Sequence, residues 1–130
     1  MVGIVLVSHH VKIAEGIKEL AAQMAMPDLK IIAAGGLEDG SIGTDALRIS
    51  EAVREAQTDA GVVILADLGS AVMSSETALE FLDEEVRRNV KIADAPIVEG
   101  AVAAVVQASI GGTVDEVLAA AEGARDLHKC

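Results

Sequence analysis

Two adjacent histidines are the most reactive feature of this sequence. His9 and His10 follow residues 2–7, a mostly β-branched apolar run that predicts a strand buried on both faces. A neutral imidazole offers one nucleophilic nitrogen. Successive side chains diverge where a strand ends, so the pair is not expected to bind one metal ion together. A strand-end histidine is interpreted either as a nucleophile or as a helix-cap or loop residue.

A carboxylate stands at the end of another predicted strand. Asp67 directly follows residues 61–66, the third apolar run along the chain. An aspartate there can accept a hydrogen bond from Nδ1–H of a strand-end histidine, fix its tautomer and leave Nε2 free to attack. Aspartate before a Gly-Ser turn also caps helices often. With His9 nearby, the orienting and capping interpretations are comparable.

Two short segments predict contacts to an anion. Gly69 and Ser70 stand at the predicted start of one helix, and Gly43 and Thr44 at the start of another. Such positions offer free backbone N–H groups and a hydroxyl. Ordinary capping is the alternative for both. Neither segment fits a dinucleotide fingerprint or a P-loop, so nucleotide binding by this chain is not expected.

Strands alternate with amphipathic helices along the chain. The predicted strands cover residues 2–7, 30–34, 61–66 and 90–93. The first helix is predicted to run to Pro27, and the third to run unbroken from Val72 through Val86. Thr113 and Glu116 form a predicted capping box for the last helix.

The order βαβαβαβαα predicts an α/β fold with an open, mostly parallel sheet and helices on both faces. Functional groups in such sheets lie at the carboxyl ends of the strands. That rule selects the segments after the first three strands as the candidate site.

Composition limits the setting. The chain has 130 residues, 52% of them apolar, which fits one domain and excludes intrinsic disorder. No apolar run approaches the ~18 residues of a membrane span. A formal net charge of −11 disfavours nucleic acid and anionic lipid as partners. The single cysteine, Cys130, favours a cytoplasmic protein.

A known family carries a similar set of motifs. The N-terminal one is Val5-Leu6-Val7-Ser8-His9 followed by Ala14-Glu15-Gly16-Ile17, and the others are residues 42–46, 67–71 with 75–80, and 95–100. Across residues 1–123 the chain resembles the mannose-type IIA domains of the bacterial phosphotransferase system. Within them it resembles the M subunits of phosphoenolpyruvate-dependent dihydroxyacetone kinases. Gly69-Ser70-Ala71 favours that branch, because IIA domains of mannose-type sugar transporters usually carry a Gly-Gly pair there.

The resemblance implies a IIA-like domain over residues 1–123 and a tail over 124–130. It implies a homodimer whose last strand lies at the sheet edge and is often exchanged between subunits. It also implies that His9 is the phosphorylated nucleophile and that Asp67 orients it. His10 stands where the family often has serine, yet the Val-Ser-His register selects His9. The expected phosphate contacts are Ser70, Gly69, Thr44 and Gly43.

Partners are implied as well. The phosphoryl group is expected to come from the phosphocarrier HPr and to pass to ADP held on an L subunit, which regenerates ATP for phosphorylating dihydroxyacetone on a K subunit. Some members of the family carry further carrier domains after the IIA-like one, and here HPr is expected to be a separate protein. No metal and no cofactor of the chain's own are expected.

Two other functions remain open. The chain is alternatively the IIA domain of a mannose-type sugar transporter, or a regulatory module whose phosphohistidine changes its binding to another protein. Transfer of phosphate to an ADP-loaded L subunit would separate relay from regulation.

Overall fold

The computed structural model describes residues 1–130 in full. Four strands and six helices follow one another along the chain: β1 Gly3–Ser8, α1 Val11–Ala22, β2 Ile31–Gly35, α2 Ala46–Ala56, β3 Val62–Ala66, α3 Gly69–Leu79, α4 Glu84–Arg87, β4 Val90–Ile92, α5 Ile97–Ser109 and α6 Val114–Gly123. The predicted alternation of strands and helices is confirmed.

The four strands form one parallel sheet in the order β2-β1-β3-β4. The predicted α/β fold is therefore confirmed, and every strand pair is parallel. β1 and β3 occupy the centre and are buried along their whole lengths. β4, the last strand, lies at an edge, as the resemblance implied. Exchange of an edge strand between subunits stays a prediction.

Helices cover both faces of the sheet, and the alternation of side chains along β1 divides the core in two. Ile4 and Leu6 point to the face covered by α1, α5 and α6, whereas Val5 and Val7 point to the face covered by α2 and α3. Small residues let α5 approach the sheet closely. They are Ala101, Ala104 and Ala108, all fully buried. The two packed layers hold the carboxyl ends of β1 and β3 in place.

The first helix is shorter than predicted. It ends at Ala22, and the next amide groups donate to acceptors three residues back, such as Met24 N to Ala21 O at 2.9 Å. The amide of Met26, just before Pro27, instead bonds Ser109 Oγ at 3.1 Å. This bond and the proline together draw the chain out of the helical path before Pro27 is reached.

The predicted third helix is divided. α3 ends at Leu79, and α4 begins at Glu84. Between them Leu82 is buried against the α2–α3 face of the core, and Arg54 donates to the carbonyl oxygen of Phe81 at 2.7 Å. The burial of Leu82 and the hydrogen bond to Phe81 O end the helix here, although the helical spacing of apolar residues continues along the sequence.

The C-terminal part begins as predicted. Thr113 and Glu116 make both hydrogen bonds of the capping box. Ala124–Asp126 forms a 3-10 turn in which Ala124 is buried, and Arg125 pairs with Asp94 at 2.7 Å. The boundary at residue 123 stays a prediction. None of the helices combines the length and the apolar character that crossing a bilayer requires.

Candidate functional site

The candidate site lies where the two central strands end. Val7 of β1 pairs with Ala66 of β3, and the amide of Asp67 donates to Val7 O at 3.1 Å. The residues that follow these two strands are therefore neighbours across the sheet. His9 and Asp67, predicted to lie together from their strand-end positions, are brought into contact.

The imidazole of His9 lies between two polar groups. Its Nδ1 is 2.9 Å from Asp67 Oδ1, and its Nε2 is 2.6 Å from Ser70 Oγ. An ionised carboxylate only accepts hydrogen bonds, so Nδ1 carries the proton and donates it. Nε2 then holds the lone pair and accepts from the Ser70 hydroxyl. The ring is in the tautomer that leaves Nε2 nucleophilic.

The Asp67 carboxylate is held by four donors. Oδ1 accepts from His9 Nδ1 and from Leu68 N at 2.8 Å, and Oδ2 accepts from His9 N at 3.0 Å and Ser8 Oγ at 2.8 Å. The side chain is 13% exposed. Burial acts to raise the pKa of Asp67, but hydrogen bonds from His9 and Ser8 outweigh it and hold the pKa below its ordinary value of 3.8. Asp67 is therefore ionised at neutral pH.

The N-terminus of α3 is open beside this ring. Its N-cap residue is Leu68, which makes no side-chain capping bond, so Asp67 does not serve as the cap. The amides of Ala71 and Val72 donate to Leu68 O. The amides of Gly69 and Ser70 have no acceptor within the chain. Two free N–H groups and the Ser70 hydroxyl thus lie at the positive end of a helix next to Nε2.

Gly43 and Thr44, the second segment predicted to contact an anion, make hydrogen bonds within the chain. The amide of Gly43 donates to His9 O at 2.9 Å, and Thr44 Oγ1 lies 2.6 Å from Ser74 Oγ on α3. The N-cap of α2 is Asp45, whose carboxylate accepts from Leu47 N at 2.9 Å. Gly43 and Thr44 fix the loop against the site, and the role of both in binding phosphate stays a prediction.

His10 is directed elsewhere. It is the N-cap residue of α1, and its Nδ1 accepts from Lys12 N at 3.0 Å. An acceptor nitrogen is unprotonated, so this ring is neutral in the capped state. Of the two adjacent histidines, one contacts Asp67 and the other begins a helix, which is the division expected for diverging side chains at a strand end.

Sequence reasoning missed one residue of the site. Ser8 is fully buried at the end of β1 and donates to Asp67 Oδ2. The available signal was a lone hydroxyl residue closing an otherwise apolar strand next to a candidate nucleophile.

A groove adjoins the site beyond the ends of β3 and β4. It has a volume of about 510 Å³, and its polar lining comes from Asp67, Glu76 and Asp94. Nowhere in the chain do three or more His, Cys, Asp or Glu side chains converge as metal ligands would. The site is therefore made of one imidazole, one carboxylate, hydroxyl groups and backbone N–H groups.

Comparison with known proteins gives a consistent result. Residues 3–118 match the EIIA-man family, described as the PTS system fructose IIA component. The crystal structure of a protein of unknown function, EF1359, superposes with a TM-score of 0.83 at 39% identity and covers 95% of both chains.

Named relatives share most of this chain. A Listeria innocua protein, "PEP-dependent dihydroxyacetone kinase 2, phosphoryl donor subunit DhaM", is 42% identical over 91% of this chain and 94% of its own length. The Escherichia coli phosphoryl donor subunit DhaM is 44% identical over 91% of this chain. The chain spans 26% of that longer relative.

Proposed function

This chain belongs to the EIIA-man family of the phosphotransferase system and, within it, to the DhaM subunits, and from that premise we propose that it relays a phosphoryl group on His9. The observation that carries the proposal is the environment of one ring. Nδ1 is held by Asp67 at 2.9 Å, and Nε2 is left as the acceptor nitrogen, 2.6 Å from Ser70 Oγ.

The first half of the relay loads His9. Nε2 attacks the phosphorus atom of phosphorylated HPr, the new P–N bond forms at Nε2, and the P–N bond to the donor breaks with its electron pair returning to the donor. Nδ1 keeps its proton throughout. The phosphorylated ring then carries a positive charge, which the ionised Asp67 carboxylate stabilises through the bond to Nδ1.

Donors for the phosphoryl oxygens lie at the start of α3. The Ser70 hydroxyl, which donates to Nε2 in the free protein, must rotate away as the phosphorus arrives. It can then donate to a phosphoryl oxygen, together with the unpaired amides of Gly69 and Ser70. We propose that Gly43 and Thr44 also contact the phosphoryl group, from the loop before α2. The Gly43 amide donates to His9 O and so holds this loop beside the ring.

The second half of the relay unloads His9. A terminal oxygen of ADP bound to an L subunit attacks the phosphorus, the P–Nε2 bond breaks, and ATP forms while the neutral ring regains its lone pair. That ATP phosphorylates dihydroxyacetone on the K subunit. Phosphoryl transfer of this kind depends on positioning and charge stabilisation. The chain itself therefore needs no metal or cofactor in this proposal.

The setting follows from these partners. HPr and the L subunit are proteins of the cytoplasm, so we place the relay there. A formal net charge of −11 suits a donor with a basic docking face. We also propose that the chain works as a homodimer, as the family resemblance implies, and that the contact uses exposed apolar residues along α5 and at its C-cap: Val98, Val106 and Ile110.

A chase experiment tests the relay. The chain is phosphorylated with HPr, enzyme I and phosphoenolpyruvate, freed of them, and mixed with the L subunit loaded with ADP. Loss of the phosphoryl group matched by formation of ATP is expected, and the L subunit without nucleotide is the control. Retention of phosphate with ADP present would contradict the relay and favour a regulatory phosphohistidine.

A further inference from the structure

A buried hydroxyl at the end of β1 takes no direct part in the proposed transfer. Ser8 is one of three fully buried polar residues, with Ser50 and Ser75. The other two serines donate to carbonyl oxygens of their own helices, Leu47 O and Ala71 O. Ser8 alone directs its hydroxyl to a carboxylate that touches the reacting ring.

We propose that Ser8 is a positioning residue whose hydroxyl fixes the Asp67 carboxylate and thereby holds His9 in its nucleophilic tautomer. Its consequence for rate rests on the proposed function, whereas its consequence for the ring does not. Ser8 does not contact the imidazole, so its effect passes through Asp67.

The direction of each hydrogen bond at Ser8 is determined. The amide of His10 is a donor, so Ser8 Oγ accepts from it at 3.2 Å. The single hydroxyl hydrogen then goes to Asp67 Oδ2 at 2.8 Å, because an ionised carboxylate can only accept. The hydroxyl is thus held on one side by the start of α1 and presents its proton to the carboxylate on the other.

The carboxylate needs this donor to keep its orientation. An ionised carboxylate has about four lone-pair sites, and all four have a donor here. One donor is the His9 ring itself, and two are the backbone amides of His9 and Leu68. Ser8 supplies the fourth and is the only one of the three supporting donors that belongs to a side chain.

Removal of the hydroxyl has a predictable effect on the ring. Oδ2 would keep one amide donor, and the carboxylate could rotate away from the position in which Oδ1 meets His9 Nδ1. A weaker acceptor at Nδ1 favours the other tautomer, with the proton on Nε2. A protonated Nε2 has no lone pair to attack phosphorus and would instead donate to Ser70 Oγ.

Two readouts test this role: the rate of His9 phosphorylation by phospho-HPr, and ¹⁵N imidazole spectra of the unphosphorylated protein. Ser8→Ala and Ser8→Cys remove or weaken the donor. We expect a roughly tenfold slower rate, equivalent to about 1.4 kcal/mol, and a shift of the His9 signals toward the Nε2–H tautomer. Ser50→Ala removes an equally buried hydroxyl away from the site and should change neither readout.

A further variant tests whether a hydroxyl at residue 8 is sufficient, and a separate result would contradict the role of Ser8. Ser8→Thr keeps a hydroxyl and should restore the native tautomer signals. A folded Ser8→Ala or Ser8→Cys protein with native imidazole signals would overturn the proposal, even if its rate were lower. Should Ser8→Ala not fold, Ser8→Cys decides the question. If the unmutated chain accepts no phosphate, the proposed function fails, while the imidazole spectra still decide the role of Ser8.

Discussion

At the scale of single residues, one carboxylate organises the site. Asp67 accepts from the His9 ring, the His9 amide, the Leu68 amide and the Ser8 hydroxyl. Three of these donors are not part of the reacting ring, and they give the carboxylate a fixed orientation toward Nδ1. Because it is preorganised in this way, Asp67 selects the tautomer of His9 before phosphorylated HPr binds.

Replacement of Asp67 should therefore affect rate far more than fold. Asp67→Asn keeps the side-chain shape but can place an NH₂ group against Nδ1, which favours the wrong tautomer. We expect phosphorylation by phospho-HPr to slow by roughly 10³–10⁴-fold, as for the orienting acid of a triad. Quench-flow labelling measures the rate, and circular dichroism the fold. Asp59→Asn, the same change at an exposed site, is the control, and equal rates in the two variants would contradict the orienting role.

The same residue gives a pH dependence of stability. Burial opposes ionisation of Asp67, but its hydrogen bonds prevail and lower its pKa below 3.8 in the folded protein. A carboxyl with a lowered folded pKa stabilises the fold fully above its unfolded pKa, and the contribution disappears as the pH falls through the folded pKa. Urea midpoints of the native and Asp67→Asn proteins should therefore converge below about pH 4. A gap independent of pH between 7 and 3 would refute this.

His9, Asp67 and Ser70 could be named as candidate site residues from the sequence, because strand ends and helix starts have recognisable patterns. Sequence reasoning missed the contact of Ser8, since a linear pattern does not say toward which neighbour the last side chain of a strand turns. It also expected an open helix start at Gly43 and Thr44. The cap there is Asp45, one residue further on, and spacing alone does not locate a helix start to a single residue.

At the scale of elements, the start of α3 supplies what the side chains lack. Gly69 is the first residue of this helix, and its amide has no acceptor. A Cβ atom at Gly69 would meet nothing within 4 Å. Leu68 before it is extended, with φ −131° and ψ 167°, as the residue before a proline must be. The position therefore accepts proline without disturbing the helix.

Gly69→Pro should remove one phosphate donor and leave α3 formed. The reference is Gly69→Ala, which adds a side chain but keeps the N–H group. We expect the proline variant to accept phosphate roughly tenfold more slowly than the alanine variant, the effect of one hydrogen bond to a charged group. Rate measurement with phospho-HPr makes the comparison, and identical rates would exclude the amide of Gly69 as a donor.

Helix ends were the least predictable elements. The apolar spacing continued past Leu79, but burial of Leu82 and the bond from Arg54 to Phe81 O end α3 there. Both causes are tertiary contacts with distant residues, which local periodicity does not contain. The capping box of α6 was predictable because Thr113 and Glu116 satisfy each other within one turn.

At the scale of the whole molecule, the order of strands and helices was enough to predict the sheet. Short apolar runs alternating with helices permit few topologies and predict a parallel sheet with helices on both faces, and the structure has β1 and β3 at its centre. The assembly state does not follow from the same pattern, since an exposed apolar stripe does not say what covers it. Family resemblance supplied that expectation.

The dimer is predicted to use α5. This helix carries one charged residue, Glu99, which pairs with Lys129, in a chain whose formal net charge is −11. A nearly uncharged apolar stripe lets two anionic copies approach. Light scattering at micromolar concentration should give about twice 13.3 kDa, and Ile110→Asp should give the monomer.

The control for that substitution lies on another face. Ile42 is 71% exposed and Ile110 74%, so Ile42→Asp introduces a matched charge and should leave the dimer intact. A 13.3 kDa species in the unmutated protein would exclude the dimer at this concentration.

The most direct measurement asks which histidine holds the phosphoryl group. His9→Ala and His10→Asn are incubated with phospho-HPr, and incorporated phosphate is counted and mapped by mass spectrometry. Asparagine at residue 10 still caps α1, so the fold is retained. We predict near-full incorporation in His10→Asn, mapped to His9, and none in His9→Ala. Full incorporation in His9→Ala, with none in His10→Asn, would contradict the assignment of His9 as the phosphoryl carrier.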